Sequence, residues 1–369
     1  MIKFIDFSRK CLRYKKNINL SVERVFKRGW FIAGPERFDF EKNLCKYMGV
    51  KYAIGVNSGT DSIALALKAI GIKTGDEVIT VSHTATPTIS AIRIAGAKPV
   101  FVDINETTLN IDPALIEEKI TSKTKAILPV HLYGYPVDMD AVYKIARKHK
   151  LLVVEDSCQA HGAKFRGKFL GTIGDAGCFS FYPTKNLGAF GDAGIIVTNN
   201  KKIAENARLL RNFGEVAKYK NKTEGVNSGL DELQASFLNW ELKELKKWNL
   251  ERKNLAEIYM KELKGLPIIL PPKGNLDYNR VWHLFVIQTT KRDELRSFLD
   301  NRGIETSIHY PMPIFKQEAY QFLGYKEKDL PITSKVVKNI LSLPLYPELK
   351  ISEVKTICHH IKEFYNQVN

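Results

Sequence analysis

The sequence contains few cysteines and no long apolar run. Its five cysteines are an odd number, lie far apart and never form a C-x-x-C pair: Cys11, Cys45, Cys158, Cys178 and Cys358. This argues against both a disulfide framework and a zinc site, so we expect reduced thiols. No stretch approaches the roughly 20 apolar residues that a membrane helix requires. The start, MIKFIDFSRKCLRYKK, lacks the apolar core of a signal peptide, which predicts a cytoplasmic protein without a membrane partner.

Basic residues are plentiful, but no single block concentrates them. The formal net charge is +16, and the lysines recur along helical patterns such as ELKELKKWNLERK, as on a solvated helix face. The sequence has no helix-turn-helix extension to carry that charge to nucleic acid. We therefore expect no nucleic-acid partner, and a basic regulatory or nucleic-acid-binding protein is kept only as a distant alternative.

Short β-rich runs alternate with helical patterns from about residue 50. The predicted strands are KYAIGV, EVITVS, KPVFVDI, TKAILPVHL, LLVVEDS, GCFSFYP and AGIIVTN, and the predicted helices between them are SIALALKAIG, TISAIRIAGA, PALIEEKI and MDAVYKIARKHK. This alternation is typical of an α/β fold whose mostly parallel sheet is covered by helices on both faces.

A chain of 369 residues is long for one core, so we expect a second, smaller domain. A helical apolar period without proline runs from Asp231 to Lys264 and predicts a long helix that leaves the large domain. After it, RVWHLFVIQ and IETSIHY are predicted strands and RDELRSFLDNRG a helix. The predicted organisation is an N-terminal segment over 1–25, a large domain over 26–245 and a small C-terminal α/β domain over 246–369.

Two residues in this pattern suit a pyridoxal 5'-phosphate (PLP) site. Asp156 ends an apolar run, and ligands of open parallel sheets bind at the carboxyl ends of the strands. Lys185 follows CFSFYP on a loop rich in Gly, Pro and Asn. A partly buried lysine with a lowered pKa forms an imine with an aldehyde, and PLP enzymes pair such a lysine with an aspartate on the ring nitrogen. Alone, each residue also suits an ordinary structural or surface position.

The stretch IGVNSGTDSIALAL predicts a strand, a turn and a helix. The backbone N–H groups at the start of that helix, around Gly59 and Thr60, would face an anion such as a phosphate. The stretch matches neither G-x-G-x-x-G nor the P-loop pattern, so a simple capped helix is the alternative. Ser180, shortly before Lys185, would add a hydroxyl to the same phosphate.

Taken together, these stretches resemble the DegT/DnrJ/EryC1/StrS family of PLP-dependent sugar aminotransferases over nearly the whole chain. The resemblance lies in NSGTDSIALAL, FVDINETTLNID, KTKAILPVHLYGYPVDMD, EDSCQAHGAKFRGKFLGTIGDAGCFSFYPTKNLGAFGDAG, GVNSGLDELQA and IHYPMP. It implies the aminotransferase fold of type I, in which a large PLP-binding α/β domain is followed by a smaller C-terminal α/β domain.

The resemblance also assigns roles to individual residues. It implies that Lys185 is the Schiff-base lysine and proton shuttle, that Asp156 is the partner of the ring nitrogen, and that Gln159 lies beside the ring. The implied phosphate ligands are Gly59, Thr60 and Ser180, together with Asn227 from the neighbouring subunit. The implied assembly is therefore a homodimer with shared active sites.

Two positions depart from the family pattern. Gly229 stands in NSGLD where members usually have an arginine, and Ala85 follows His83 and Thr84 where many have an aromatic residue. Either the cofactor ring lacks a stacking partner or His83 supplies one, and a structural role for His83 stays open.

The stretches VSHTATPTISAI and VWHLFVI…IHYPMPIFKQEAY most resemble the subgroup that aminates C3 of dTDP-linked 3-keto-6-deoxyhexoses, with L-glutamate as the amino donor. His309 and Tyr310 are candidate contacts for the nucleotide-linked keto-sugar, and Trp30 and Phe31 for the mouth of the same site. Packing is the alternative for all four. A 4-aminotransferase or a dehydratase-like PLP sugar enzyme is the alternative activity, although relatives that dehydrate have histidine in place of Lys185.

Overall fold

The computed structural model describes residues 1–368. The helices in chain order are α1 (Phe7–Arg13), α2 (Lys15–Arg28), α3 (Pro35–Met48), α4 (Gly59–Ala69), α5 (Thr86–Ile94), α6 (Met139–His149), α7 (Lys201–Leu210), α8 (Glu232–Glu262), α9 (Arg292–Asp300), α10 (Pro331–Asn339) and α11 (Ile351–Val368). The strands are β1 (Tyr52–Val56), β2 (Glu77–Val81), β3 (Lys98–Val102), β4 (Thr124–Ile127), β5 (Leu152–Asp156), β6 (Lys164–Phe165), β7 (Lys168–Phe169), β8 (Ala176–Ser180), β9 (Gly194–Thr198), β10 (Glu215–Ala217), β11 (Lys220–Asn221), β12 (Tyr278–Asn279), β13 (Phe285–Gln288) and β14 (Ile340–Leu343). None of these helices is long and apolar enough to cross a membrane.

Seven strands form the central sheet in the order β1-β9-β8-β5-β4-β2-β3. The five strands from β8 to β3 run parallel, and β9 lies antiparallel between β8 and β1. Six of the seven strands lie within the apolar runs that predict them, and β8 begins one residue before its run, at Ala176. Strands β2, β8 and β9 are buried along their whole length because helices cover both faces of the sheet. The predicted α/β fold with a mostly parallel sheet is confirmed.

Helices α4, α5 and α7 cover one face of the sheet, and α3, α6 and α8 cover the other. Ile63 and Ile92 belong to the core on the first face, and Phe40 and Leu242 to the core on the second. The predicted helix PALIEEKI is wrong. The chain there forms two turns of 3-10 helix, 113–115 and 117–119, and only Ile116 is fully buried. A single apolar anchor does not offset the cost of starting an α-helix.

The long helix α8 connects two hydrophobic cores. Its first half places Leu242 and Leu245 in the core beside the central sheet, and its second half places Leu255 and Tyr259 in a core built from the C-terminal segment. The predicted boundary at residue 245 falls between these two groups and stays a prediction. Two small-domain elements fall short of their predictions. Strand β13 takes up only the end of RVWHLFVIQ, and IETSIHY forms only isolated bridges at Ile304 and Ser307.

The N-terminal segment packs along α8. Trp248 donates a hydrogen bond from Nε1 to the Tyr14 hydroxyl (2.7 Å), and Tyr14 also packs against Trp240. Ser21 is buried against the backbone of Ser236. Helices α1 and α2 are thereby fixed to the element that joins the two cores.

Candidate active site

A cavity of about 300 Å³ opens at the carboxyl ends of the parallel strands. Its walls come from the segments that follow β1, β2, β4, β5 and β8. The lining residues are Ser58, Gly59, Thr60, Ile63, Thr84, Ala85, Pro87, Thr88, Val130, Asp156, Cys158, Gln159, Ser180, Tyr182, Lys185 and Asp192. Six of the predicted site residues are therefore brought together in one cavity: Gly59, Thr60, Asp156, Gln159, Ser180 and Lys185.

Asp156 is the last residue of β5 and is nearly inaccessible to solvent. Its Oδ2 accepts a hydrogen bond from the Thr88 hydroxyl (2.8 Å), and its Oδ1 accepts one from the Cys158 backbone N–H (3.2 Å). Thr84 contacts the Thr88 hydroxyl at 2.9 Å and so continues the chain. A carboxylate held in one orientation inside an apolar wall suits a cationic ring nitrogen.

Lys185 lies on the loop between β8 and β9. Its backbone N–H donates a hydrogen bond to the carbonyl of Tyr182 (2.8 Å). This bond closes a turn that fixes the backbone from which the lysine side chain extends. Burial lowers the pKa of the Lys185 amine, while Cys158 and Asp156 act in the opposite direction. A lowered pKa increases the fraction of neutral amine, which is the form that attacks a carbonyl carbon.

The turn between β1 and α4 leaves no space for a side chain at Gly59. A Cβ built there would lie 2.5 Å from the Cβ of Ser180, because the start of α4 approaches the end of β8. The Ser58 side chain accepts a hydrogen bond from the Asp61 N–H and caps the helix. The N–H groups of Gly59 and Thr60 stand at the start of an 11-residue helix beside the Ser180 hydroxyl, an arrangement that suits a phosphate.

Gln159 connects the cavity to the C-terminal segment. Its Oε1 accepts a hydrogen bond from the Tyr133 backbone N–H (2.7 Å), and its Nε2 donates to the Tyr310 hydroxyl (3.2 Å). The amide is therefore held at both ends. Tyr310, one of the predicted substrate contacts, reaches the cavity through this bond.

His83 and His309 are joined through Tyr133. The Tyr133 hydroxyl donates to the His309 carbonyl, so His83 Nε2 must donate to the same hydroxyl (3.0 Å). Burial lowers the pKa of both histidines to about 4, so both rings are neutral near pH 7. The His309 ring also stacks on Phe4 and contacts the Ser342 hydroxyl through Nδ1 (2.8 Å). Thr84 and Ala85 line the cavity next to His83, whereas the His83 ring packs against Tyr133.

The other three predicted residues lie on the surface of the chain. Asn227 is exposed and forms an isolated bridge with Asn212. Trp30 and Phe31 are 57% and 49% exposed, and the indole of Trp30 donates to the Ile32 carbonyl (2.7 Å). Within one chain, these side chains are outside the cavity.

The sequence patterns missed several cavity residues. Thr88 and Val130 lie inside a predicted helix and a predicted strand, where apolar period alone cannot show which side chain faces a ligand. Tyr182 and Asp192 flank the lysine loop and line the cavity from its exposed side. Their location in the same loop region as Lys185 was the one sequence signal that could have identified them.

The geometry fits a PLP-type cofactor, because one cavity combines a phosphate turn, a buried carboxylate and a partly buried amine. Comparisons with known proteins agree. The DegT/DnrJ/EryC1/StrS aminotransferase family model matches residues 13–362. The chain is 44% identical over 364 residues to dTDP-3-amino-3,6-dideoxy-alpha-D-galactopyranose transaminase of Aneurinibacillus thermoaerophilus, with 99% of each protein covered.

Solved structures are similar over nearly the whole chain. Streptomyces venezuelae DesV in complex with a ketimine intermediate matches with a TM-score of 0.96 and 43% identity, covering 99% of this chain and 98% of that one. The structure of ntda from Bacillus subtilis with bound cofactor PMP matches with a TM-score of 0.90 and 35% identity, covering 98% and 85%. The chain therefore belongs to the DegT/DnrJ/EryC1/StrS aminotransferase family and is an aminotransferase with the α/β fold of that family.

Proposed function

We propose that this aminotransferase uses PLP to move an amino group from L-glutamate to C3 of a dTDP-linked 3-keto-6-deoxyhexose. The observation that carries the proposal is the shared cavity of Lys185, Asp156 and the turn at Gly59 and Thr60. The substrate class is supported by the relative that acts on a dTDP-3-amino sugar. The product would be an aminosugar nucleotide for a surface glycan or polysaccharide.

Six of the cavity residues have proposed tasks. Bound PLP would supply an electron-accepting ring that stabilises the substrate carbon after it loses a proton. Asp156 would keep the ring nitrogen protonated, and Lys185 would hold the cofactor and move a proton between the substrate and cofactor carbons. Gln159, fixed by Tyr133, would contact the ring edge. The proposed phosphate ligands are Gly59, Thr60 and Ser180.

His309 and Tyr310 are proposed to face the keto-sugar from the C-terminal segment. The Tyr310 hydroxyl accepts the hydrogen bond of Gln159, and the charge of Lys185 contributes to the lowered pKa of His309. Both residues therefore lie beside the proposed reaction centre. His83 is assigned to the support of Tyr133 rather than to stacking on the ring, because its Nε2 is already bonded to Tyr133.

We also propose that the active enzyme is a homodimer. Lys185 is the only lysine or arginine among the described residues that line the cavity, yet glutamate carries two carboxylates and a nucleotide diphosphate carries several negative charges. Additional cations must come from outside this cavity. Asn227 is exposed, and Trp30 and Phe31 expose apolar surface that a second copy would cover. Reduced cysteines agree with the cytoplasmic location, which stays a prediction.

The first test replaces the proposed catalytic lysine. Lys185→Ala should bind PLP without a lysine-linked absorbance band and should lose multiple turnovers, because no other lysine among the described residues lines the cavity to move the proton. The matched control is Lys168→Ala, which removes an exposed lysine outside the cavity. Appreciable turnover by Lys185→Ala would contradict the assignment.

The second test identifies the substrate. The enzyme is incubated with PLP, glutamate and a panel of nucleotide-linked 3-keto and 4-keto sugars, and the product is analysed by mass spectrometry and proton NMR. Amination at C3 of a dTDP-sugar is expected. A product aminated at C4 would contradict the subgroup and leave the family unchanged.

The third test addresses the shared site by mixing two inactive variants. Lys185→Ala and Asn227→Asp are unfolded together and refolded as a 1:1 mixture. If Asn227 serves the partner's site, each mixed dimer has one intact site, and random pairing restores about a quarter of wild-type activity. No recovery, despite mixed dimers detected by native mass spectrometry, would contradict the proposal that Asn227 serves the partner's site.

A further inference from the structure

A chain of side-chain hydrogen bonds runs through Asn186, the residue that follows Lys185. Asn186 Nδ2 donates to Asn249 Oδ1 (2.8 Å), and Asn249 Nδ2 donates to the His161 carbonyl (2.8 Å). On its other side, Asn186 Oδ1 contacts His283 Nδ1 (3.0 Å). The lysine loop is thereby tied to α8 and to the segment before β13.

The carbonyl of His161 determines the direction of every bond in this chain. A carbonyl can only accept, so Asn249 must turn its NH₂ group towards it and its oxygen towards Asn186. Asn186 must then present its own NH₂ group to Asn249 and its oxygen to His283. His283 must therefore carry its hydrogen on Nδ1, and Nε2 is left as a bare acceptor.

The surroundings of His283 keep its ring in this neutral form. Burial lowers the pKa of His283 well below its usual value, and the charges of Lys185 and Arg252 and the rings of His309 and His161 act in the same direction. The backbone of His283 is also fixed. Its carbonyl accepts from Arg252 Nη1 (3.3 Å), and its N–H donates to the Tyr133 carbonyl (3.3 Å).

We propose that His283 is a positioning residue for Lys185: its Nδ1–H fixes the Asn186 amide, and Asn186 fixes the turn from which the lysine side chain extends. The Asn186 side chain is buried and bonded on both sides, so the loop between β8 and β9 has one orientation at this point. The proposal rests on the proposed function in one respect, namely that Lys185 holds the cofactor.

Three substitutions separate positioning from packing. His283→Asn is smaller than histidine but keeps an N–H at the δ position. His283→Gln is larger than asparagine but moves its amide one bond further along the side chain, and His283→Leu keeps apolar volume without a donor. If His283 acts only by packing, His283→Asn should lose the most rate of the three variants, because it leaves the largest gap. If His283 acts by positioning through the hydrogen bond, His283→Asn should lose the least rate.

The measurement is the single-turnover rate of the glutamate half-reaction in the holoenzyme, followed by cofactor absorbance. His283→Asn should stay within about threefold of wild type. His283→Gln and His283→Leu should lose about 10- to 100-fold in rate, with the half-saturating glutamate concentration unchanged, because a displacement of about 1 Å has such effects on a reacting group. A wild-type rate in His283→Leu, or a lower rate in His283→Asn than in His283→Leu, would overturn the proposal.

If His283→Leu does not fold with cofactor, Asn249→Leu carries the test from the helix side. It removes the acceptor of the Asn186 amide, and a rate loss of the same order is expected, whereas a wild-type rate would overturn the proposal. The glutamate half-reaction also separates the two proposals. Failure of the wild-type enzyme on keto-sugars alone contradicts only the substrate, and absence of a lysine-linked cofactor band contradicts both.

Discussion

Replacing Lys10 by methionine should destabilise the protein about twice as much at pH 8 as at pH 5. Lys10 Nζ lies 2.8 Å from Glu241 Oε1, and the Glu241 side chain is fully buried in α8. The contact is an ion pair by distance rather than a well-aligned hydrogen bond. Lys10 also donates to the Gly188 carbonyl (3.0 Å) and packs over Phe190 and Trp248. Methionine keeps the apolar part of these contacts and removes the charge.

The pKa of Glu241 determines the size of the effect. Burial raises this pKa from 4.5 to about 7, while Lys10 acts in the opposite direction. Because the folded-state pKa is raised, the protonated form of Glu241 favours the folded state. This stabilisation is fully present below pH 4.5 and is lost as the pH rises through about 7. At 1.36 kcal/mol per pKa unit, the shift already costs the wild type about 3 kcal/mol at pH 8. Without Lys10 the pKa of Glu241 rises further, and the carboxyl stays protonated in the folded state at pH 8. Holding a group with a pKa of about 7 in its protonated form at pH 8 costs about 1.4 kcal/mol, which limits the additional loss.

The assay is urea unfolding followed by circular dichroism at both pH values. At pH 5, Glu241 is largely protonated in the folded state, so Lys10→Met should lose only about 1 kcal/mol, from the bond to Gly188. At pH 8, the loss should reach about 2 to 2.5 kcal/mol, and Glu241→Gln in the same chain should remove the pH-dependent part of it. Equal losses at the two pH values, or no rescue by Glu241→Gln, would refute the reasoning.

Three further substitutions test the cavity. Asp156→Asn should lower the glutamate half-reaction rate by about 10²-fold or more, because the amide no longer holds a proton on the ring nitrogen, and stopped-flow absorbance would measure this. Gly59→Ala should weaken cofactor binding, because the added Cβ would lie 2.5 Å from the Cβ of Ser180. A strain of about 1–3 kcal/mol would raise the dissociation constant of PLP about 5- to 150-fold, which a PLP titration would measure. Gln159→Leu should cost about 1–3 kcal/mol in urea unfolding, because the buried Tyr133 N–H loses its acceptor, and an unchanged midpoint would argue against that bond.

The candidate active site lies between the strand ends of the central sheet and the C-terminal segment, which the sequence predicts to belong to separate domains. The Tyr133 backbone N–H donates a hydrogen bond to Gln159 Oε1, and its hydroxyl donates one to the His309 carbonyl. The Tyr133 carbonyl accepts a hydrogen bond from the His283 N–H. Tyr133 thus connects the strand ends of the large domain to two residues of the C-terminal segment. A change in the position of that segment would be transmitted to Gln159, and so to the edge of the proposed cofactor site.

The sequence alone predicted the fold class and the positions of the seven central strands, and it selected the two principal candidate site residues, Asp156 and Lys185, which line one cavity in the structure. Apolar period reports local structure directly, and the carboxyl ends of parallel strands necessarily meet at one edge of a sheet, which brings Asp156 and the turn at Gly59 together. The loop composition around Lys185 and the ordered family motifs supplied the rest of the predicted cofactor set.

Only the tertiary structure decided which side chains are connected. The bond between Gln159 and Tyr310 spans 151 residues, and the contact between His283 and Asn186 spans 97. No local period encodes such a contact, because it depends on how helices and strands pack and on which partner each donor finds. For the same reason, the helical pattern of PALIEEKI could not show that one buried isoleucine is too weak an anchor for a helix. The sequence predicted Lys185 as a site residue. The hydrogen bonds that link Asn186 to Asn249 and His283, and Asn249 to His161, fix the loop that carries it.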